Sequence, residues 1–305
     1  MTVCAQHTWE IEMEYLIQQI LNGLTIGAVY ASLGLALVLI YRTTNIANFA
    51  QGEMATFSAF MTWQLTQWGI PILLSILIVI AISAVIGAVV YAVLVRPVQY
   101  KDEMTIIIVT LGLFLAFNST TGAIWGYMQK TSPSPFPATT WMLSDVRISA
   151  ELVSFLLVLV AISFGLFLLF QKTRLGNALR AAASNAQSAQ LVGIPYTKMM
   201  ILGWGMAAGL GAVSGALVSS RLSLDPNMMA DVIIYGFASA IVGGMSSYVG
   251  VVVGGMIVGI SQALTIAFLP GLGADLQIVV PLVLIVAVLI VKPEGLFGKT
   301  VAARV

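Results

Sequence analysis

The chain's 305 residues are 59% hydrophobic and 8% charged, which excludes a soluble globular domain, where roughly a quarter of residues carry charge. A formal net charge of +1 supplies no basic field for a nucleic acid, and none is expected as a partner. What remains is a polytopic, all-α membrane protein in contact with a lipid bilayer.

Residues 1–14 read as an exposed N-terminal tail. They include Glu10, Glu12 and Glu14 and no Lys or Arg, so the positive n-region of a signal peptide is lacking, and Met13 offers an alternative start. Cys4 and His7 are the chain's single cysteine and histidine. An intrachain disulfide and a thiolate zinc site are thereby ruled out. Neither a catalytic residue nor a metal site is expected.

Charge-free runs follow at Tyr15 to Tyr41, Met54 to Val95, Met104 to Gln129, Leu152 to Gln171, Met199 to Ser220, Val232 to Ala274 and Leu276 to Val291. A helical span takes about 20 residues, so the two longest runs each hold two helices. Their divisions fall at Gln67-Trp68-Gly69-Ile70-Pro71 and Gly243-Gly244-Met245-Ser246-Ser247, where Gly, Pro and polar residues turn the chain. The count is about nine transmembrane helices, within about eight to ten, in one domain over residues 15–298. The last run is short, and Lys292 can snorkel from its end.

Cationic loops are retained on the cytoplasmic side. An N-terminus outside places Arg42, Arg96, Lys101, Lys172, Arg174, Arg180, Lys198, Lys292, Lys299 and Arg304 inside, against Lys130, Arg147 and Arg221 outside. Inverting the topology reverses that asymmetry. Residues 299–305 then form a cytoplasmic C-terminal tail.

Between the first two helices lies Asn45-Ile-Ala-Asn48-Phe-Ala-Gln51-Gly52-Glu53. A carboxylate beside a membrane segment is costly unless it faces protein, water or the interface. One reading is an interfacial helix start, with Glu53 at the positive helix end and an asparagine cap. The other is a path or gate across an interrupted helix whose freed backbone faces a cavity. Asn45, Asn48, Gln51, Glu53, Asn118 and Gln262 are the candidates for that path or gate. Asn22, Asn118, Thr120, Thr121 and Gln262, inside apolar runs, also suit hydrogen bonds between helices.

The loop 172–198 is the chain's one sizeable polar-flanked connection, uncharged from Ala181 to Thr197. Leu175, Leu179, Ala182, Ala186 and Ala189 recur at helical spacing and share one face. Gly193 ends the predicted helix and Pro195 prevents its continuation. An alanine face is weak in membrane burial and suits a groove on a partner protein. Further on, Gly205 and Gly209, Gly211 and Gly215, Gly250 and Gly254, and Gly255 and Gly259 form four small-residue motifs, for tight packing or for sliding between states. The closing Pro293 to Thr300 imitates the end of a phosphate loop, but Pro293 stands where glycine is required, so it reads as a membrane-exit cap.

The stretch Asn48 to Glu53, Thr173 to Gly176 with Arg180-Ala181, Leu191 to Ile194, Gly243-Gly244-Met245, and Lys292 to Gly298 together resemble the permease family of branched-chain amino acid ABC importers, of the LivH type, over about Met13 to Gly298. Gln51 stands where many members carry histidine, and the acidic N-terminal extension is unusual for the family. The resemblance implies a type II ABC importer permease fold in a bacterial cell (inner) membrane. It implies a second, LivM-like permease, two cytoplasmic ATPases that bind ATP and Mg, and an extracytoplasmic solute-binding protein. It places an ATPase-coupling helix over Asn177 to Gly193, with Asn177, Arg180, Ala182, Ala183, Ala186, Ala189, Leu191 and Gly193 as its residues. Branched-chain or other hydrophobic amino acids are the expected cargo, and the family's urea, short amides and aromatic acids are the alternatives. An ion-coupled secondary transporter is a remoter class, since such proteins place ionisable residues at mid-membrane. A membrane enzyme would need clustered His, Asp or Cys.

Overall fold

The computed structural model describes residues 2–143, 146–269 and 276–298, with residues 2–12, Glu103 and Leu143 by backbone alone. The exposure expected of the side chains before Met13, and the whole tail 299–305, lie outside what is described. The helices are α1 (Thr2–Thr44), α2 (Gln51–Gln67), α3 (Ile72–Val90, continued to Val98 by a π turn and a 3-10 turn), α4 (Glu103–Trp125) and α5 (Ala150–Lys172). After them come α6 (Arg174–Ser184), α7 (Ala186–Leu191), α8 (Tyr196–Ser219), α9 (Met229–Gly243), α10 (Tyr248–Phe268) and α11 (Val279–Val291).

Among the described residues six helices, α1, α3, α4, α5, α8 and α10, are long and apolar enough to cross a bilayer. Helices α2, α9 and α11, of 17, 15 and 13 residues, are shorter. These nine occupy the seven charge-free runs, α2 with α3 and α9 with α10 sharing the two longest. The two divisions fall where glycine permits a reversal, at Gly69 with φ +84° and Gly244 with φ +102°. Side-chain caps fix several starts: Asp102 accepts from Thr105 N at 3.3 Å, Ser149 from Leu152 N at 3.2 Å, and Ser247 from Gly250 N at 3.0 Å.

The membrane-embedded part of α1 and most of α8 are buried, and their neighbours wrap them. The glycine motifs explain how. On α8, a Cβ at Gly205 would lie 2.9 Å from Ala84 O of α3, and one at Gly215 would lie 2.2 Å from Ala55 O of α2. On α10, a Cβ at Gly259 would lie 2.3 Å from Gly27 N of α1, and one at Gly254 would lie 2.3 Å from Ser239 O of α9. Each helix therefore uses two glycine faces to hold two different neighbours at backbone contact, which dispersion favours where lipid supplies no hydrophobic drive. Outward, α3, α4, α5 and α11 present Leu77, Leu115, Leu157, Phe164 and Ile290.

Two features depart from the sequence reading. A hairpin of β1 (Thr140–Leu143) and β2 (Val146–Ser149), pairing Thr140 with Ser149, sits between α4 and α5. It is tied to α1 by Gln18, which accepts from Arg147 N at 3.0 Å. Loop 172–198 also folds as two helices, not one, because Asn185 leaves helical geometry (φ −155°, ψ 104°) and its side chain caps α7 through Ser188 N at 2.8 Å. The closing segment does cap a helix, that of α9: Leu296 N and Phe297 N donate to Val242 O and Gly243 O at 2.9 and 3.0 Å. Lys292 turns into that cap, its Nζ donating to Leu296 O at 2.7 Å.

Candidate functional site

Helix α1 gives way to Asn45, which adopts φ +57°. Asparagine tolerates the left-handed region better than most residues. From there its Nδ2 donates to Ala183 O of α6 at 2.6 Å. The chain then re-enters the bundle. Buried Asn48 accepts from Ala50 N at 3.0 Å and donates to Gln51 Oε1 at 3.3 Å. Gln51 in turn donates from Nε2 to Ala207 O at 2.9 Å. Ala207 lies midway along α8, so α2 starts inside the bundle as an interrupted segment and not at its edge.

Glu53 stands in the first turn of α2 and is 1% exposed. Asn118 of α4 donates from Nδ2 to Glu53 Oε2 at 3.2 Å and lies 3.0 Å from both Pro226 O and Asn227 Oδ1, on the connection between α8 and α9. Helix α9 begins beside the same place, for a Cβ on Gly52 would meet the Ile233 and Met229 side chains at 3.2 to 3.4 Å. Two helix N-termini thus converge where Asn118 bridges them. Their positive ends favour a carboxylate there. Glu53 makes no ion pair among the described residues.

Gln262 belongs to a different place. It accepts from Tyr30 OH at 2.6 Å and approaches Gln277 at 3.4 Å, while Tyr30 stacks on Tyr235 with centroids 4.5 Å apart. These groups line a cavity of about 380 Å³ that Arg221 and Asp231 also reach. Of the six path candidates, Asn48 pairs with Gln51 and Glu53 with Asn118 about the start of α2, Asn45 joins the segment before it to α6, and Gln262 stands apart. Sequence reasoning passed over Tyr30, Tyr235 and Asn227. A hydroxyl-bearing ring in the first apolar run was the available signal for Tyr30, since a buried tyrosine OH seeks a partner.

On α6 and α7 the expected alanine face points inward. Leu179, Ala182 and Ala189 are buried, and Ala183 and Ala186 are half-buried. Asn177 is exposed and accepts from Arg180 Nη2 at 2.6 Å. Gly193, at φ +82°, closes α7 with Ile194 N donating to Ala189 O at 2.9 Å and Gly193 N to Gln190 O at 3.0 Å, the double bond of a glycine-terminated helix. That turn pushes Leu191 and Val192 outward, 89% and 76% exposed. The two side chains form an exposed apolar tip on the turn that leaves α7.

A family model described as branched-chain amino acid transport system / permease component matches residues 19–289. The chain belongs to this family of membrane permeases. Among curated relatives it is similar to the high-affinity branched-chain amino acid transport system permease protein LivH of Salmonella typhimurium, 25% identical over 95% of this chain and 98% of that one. The probable branched-chain amino acid transport permease protein LivH of Methanocaldococcus jannaschii is 30% identical over 87% of each chain. The corresponding BraD protein of Pseudomonas aeruginosa is 24% identical over 96% of this chain and 99% of that one.

Proposed function

We propose that the chain is the transmembrane permease subunit of an ATP-binding-cassette importer, carrying branched-chain or similar hydrophobic amino acids across a bacterial cell membrane by alternating access. The relatives matched over most of their length are branched-chain amino acid transport permeases, which supports the cargo and the class. ATP and Mg act on separate ATPase subunits, and this chain contributes no catalysis. The other members of the assembly are a second, LivM-like permease, two cytoplasmic ATPases and an extracytoplasmic solute-binding protein. The N-terminus lies outside, with α6, α7 and the C-terminus cytoplasmic, in keeping with the bias of Lys and Arg.

The observation that carries the mechanism is the bond from Asn45 to α6. Leu191 and Val192, more exposed than the alanine face, enter a groove of one ATPase. Closure of the ATPases displaces α6 and α7, and Asn45 passes that displacement to the re-entrant segment. Asn48 and Gln51 connect the segment to mid-α8, and Glu53 with Asn118 connects it to α4 and the start of α9. The interior polar bridge then has two arrangements, and ATP biases the choice between them.

Reconstitution with the cognate ATPases, second permease and binding protein tests this. Leucine uptake should require ATP and persist when ion gradients are collapsed. Uptake that follows an imposed ion gradient without ATP would replace the reading with a secondary transporter.

A further inference from the structure

At the end of the bundle that carries α6 and α7, a cavity of about 340 Å³ opens between α1, α5, α6 and α10. Arg42 from the last turn of α1 and Arg180 from α6 line it, beside Ser247, the cap of α10. Arg42 lies over the rings of Tyr248 and Phe170, 4.6 and 5.4 Å from their centroids. Those contacts orient its charge without neutralising it. Arg180 Nη2 is engaged by Asn177, but its Nε is buried without a hydrogen-bond partner. No carboxylate lines the cavity, and neither guanidinium has an ion-pair partner among the described residues. Two cations in half-enclosed space lack the anion that would compensate their desolvation.

The space continues into the membrane. Phe167 and Val249 also wall a second cavity of about 420 Å³, which runs between α5 and α10 past Val160, Phe164 and Val252. A cationic compartment at the bundle's edge thus opens onto an apolar trough. A free phosphate or an acidic peptide would satisfy the arginines and leave the trough unfilled. An apolar helix of a neighbouring subunit would fill the trough and leave the arginines bare. One amphipathic anion satisfies both.

The geometry points to a binding site for an anionic phospholipid, its phosphate between Arg42 and Arg180 and one acyl chain along α5 and α10. Basic pockets between helices on the cytoplasmic side recognise such headgroups. Because Arg180 belongs to α6, an occupied site braces α6 against α1 and α10.

The test is titration of the full-length chain in mild detergent with phosphatidylglycerol or phosphatidylcholine, read by native mass spectrometry and thermal unfolding. Phosphatidylglycerol is retained and raises the melting temperature, whereas phosphatidylcholine, glycerol phosphate and inorganic phosphate are without effect. R42Q and R180Q each weaken retention about fivefold, the equivalent of about 1 kcal/mol for a basic side chain at an anionic surface. R180K retains the lipid, and V160W, which fills the trough and spares both arginines, releases it. Should a glutamine variant fail to fold, R180K and V160W still decide the matter. Equal retention of the two lipids, or retention unchanged by V160W, overturns the proposal. A shift with inorganic phosphate alone assigns a free-anion site instead, and displacement of bound lipid by a second permease subunit assigns a subunit interface.

Discussion

Asn45 and Ala183, 138 positions apart, are joined by a 2.6 Å hydrogen bond from the asparagine amide to the alanine carbonyl. The same asparagine holds the left-handed turn that ends α1. Two substitutions separate these roles. N45G keeps the backbone conformation and loses the amide, so it should insert and fold normally while ATP hydrolysis is uncoupled from leucine uptake. N45A loses both, and should in addition unfold more easily by up to about 1 kcal/mol, because alanine lacks the short polar side chain that lets asparagine occupy the left-handed region. Normal uptake by N45G would remove the bond from the mechanism.

The two faces of α6 and α7 make opposite predictions. L191S and V192S, at the exposed tip, should leave stability unchanged and release the ATPase during affinity purification. A182L, at a position 1% exposed, should destabilise the permease by about 1 to 3 kcal/mol through overpacking. Retention of the ATPase by the double variant L191S/V192S would move the docking surface elsewhere.

Glu53 and Asn118 are tested as a pair. E53Q preserves an acceptor for the Asn118 amide and removes the charge, so the fold should hold while uptake falls about tenfold, equivalent to about 1.4 kcal/mol. E53A leaves Asn118 its bonds to Pro226 and Asn227 but empties the buried space the carboxylate filled, and should lower stability by about 1 to 3 kcal/mol. If both variants transport normally, the carboxylate serves only the start of α2.

Glycine substitutions should divide sharply by place. G259A drives a Cβ to 2.3 Å from Gly27 N, and should abolish mature protein in the membrane. G112A meets nothing within 4 Å on α4, and should be neutral or stabilising by up to about 1 kcal/mol. The amount of folded protein seen by detergent-resolved chromatography distinguishes them.

The membrane helices were legible because charge-free runs and glycine-proline divisions are local signals, and Gly69 and Gly244 turn the chain where the sequence placed them. Helix partners were not. The motifs at Gly205 and Gly215 differ little as sequence, yet one meets α3 and the other α2. The hairpin at Thr140 to Ser149 escaped notice because its strands are short. The single helix expected through loop 172–198 failed at Asn185, whose side chain competes for the backbone of Ser188, a competition alanine periodicity conceals. Polar residues of the candidate path were recognisable by type. That Gln51 reaches mid-α8, and that Gln262 belongs with Tyr30, depends on tertiary approach that no spacing encodes.

The fold-back of Leu296 and Phe297 onto the carbonyls of Val242 and Gly243 constrains protein engineering. A single-chain version, made by tethering this subunit to a companion permease, has to begin its linker after Gly298. A junction placed earlier would strip the lid from the end of α9 and loosen the glycine-lined seam between α9 and α10.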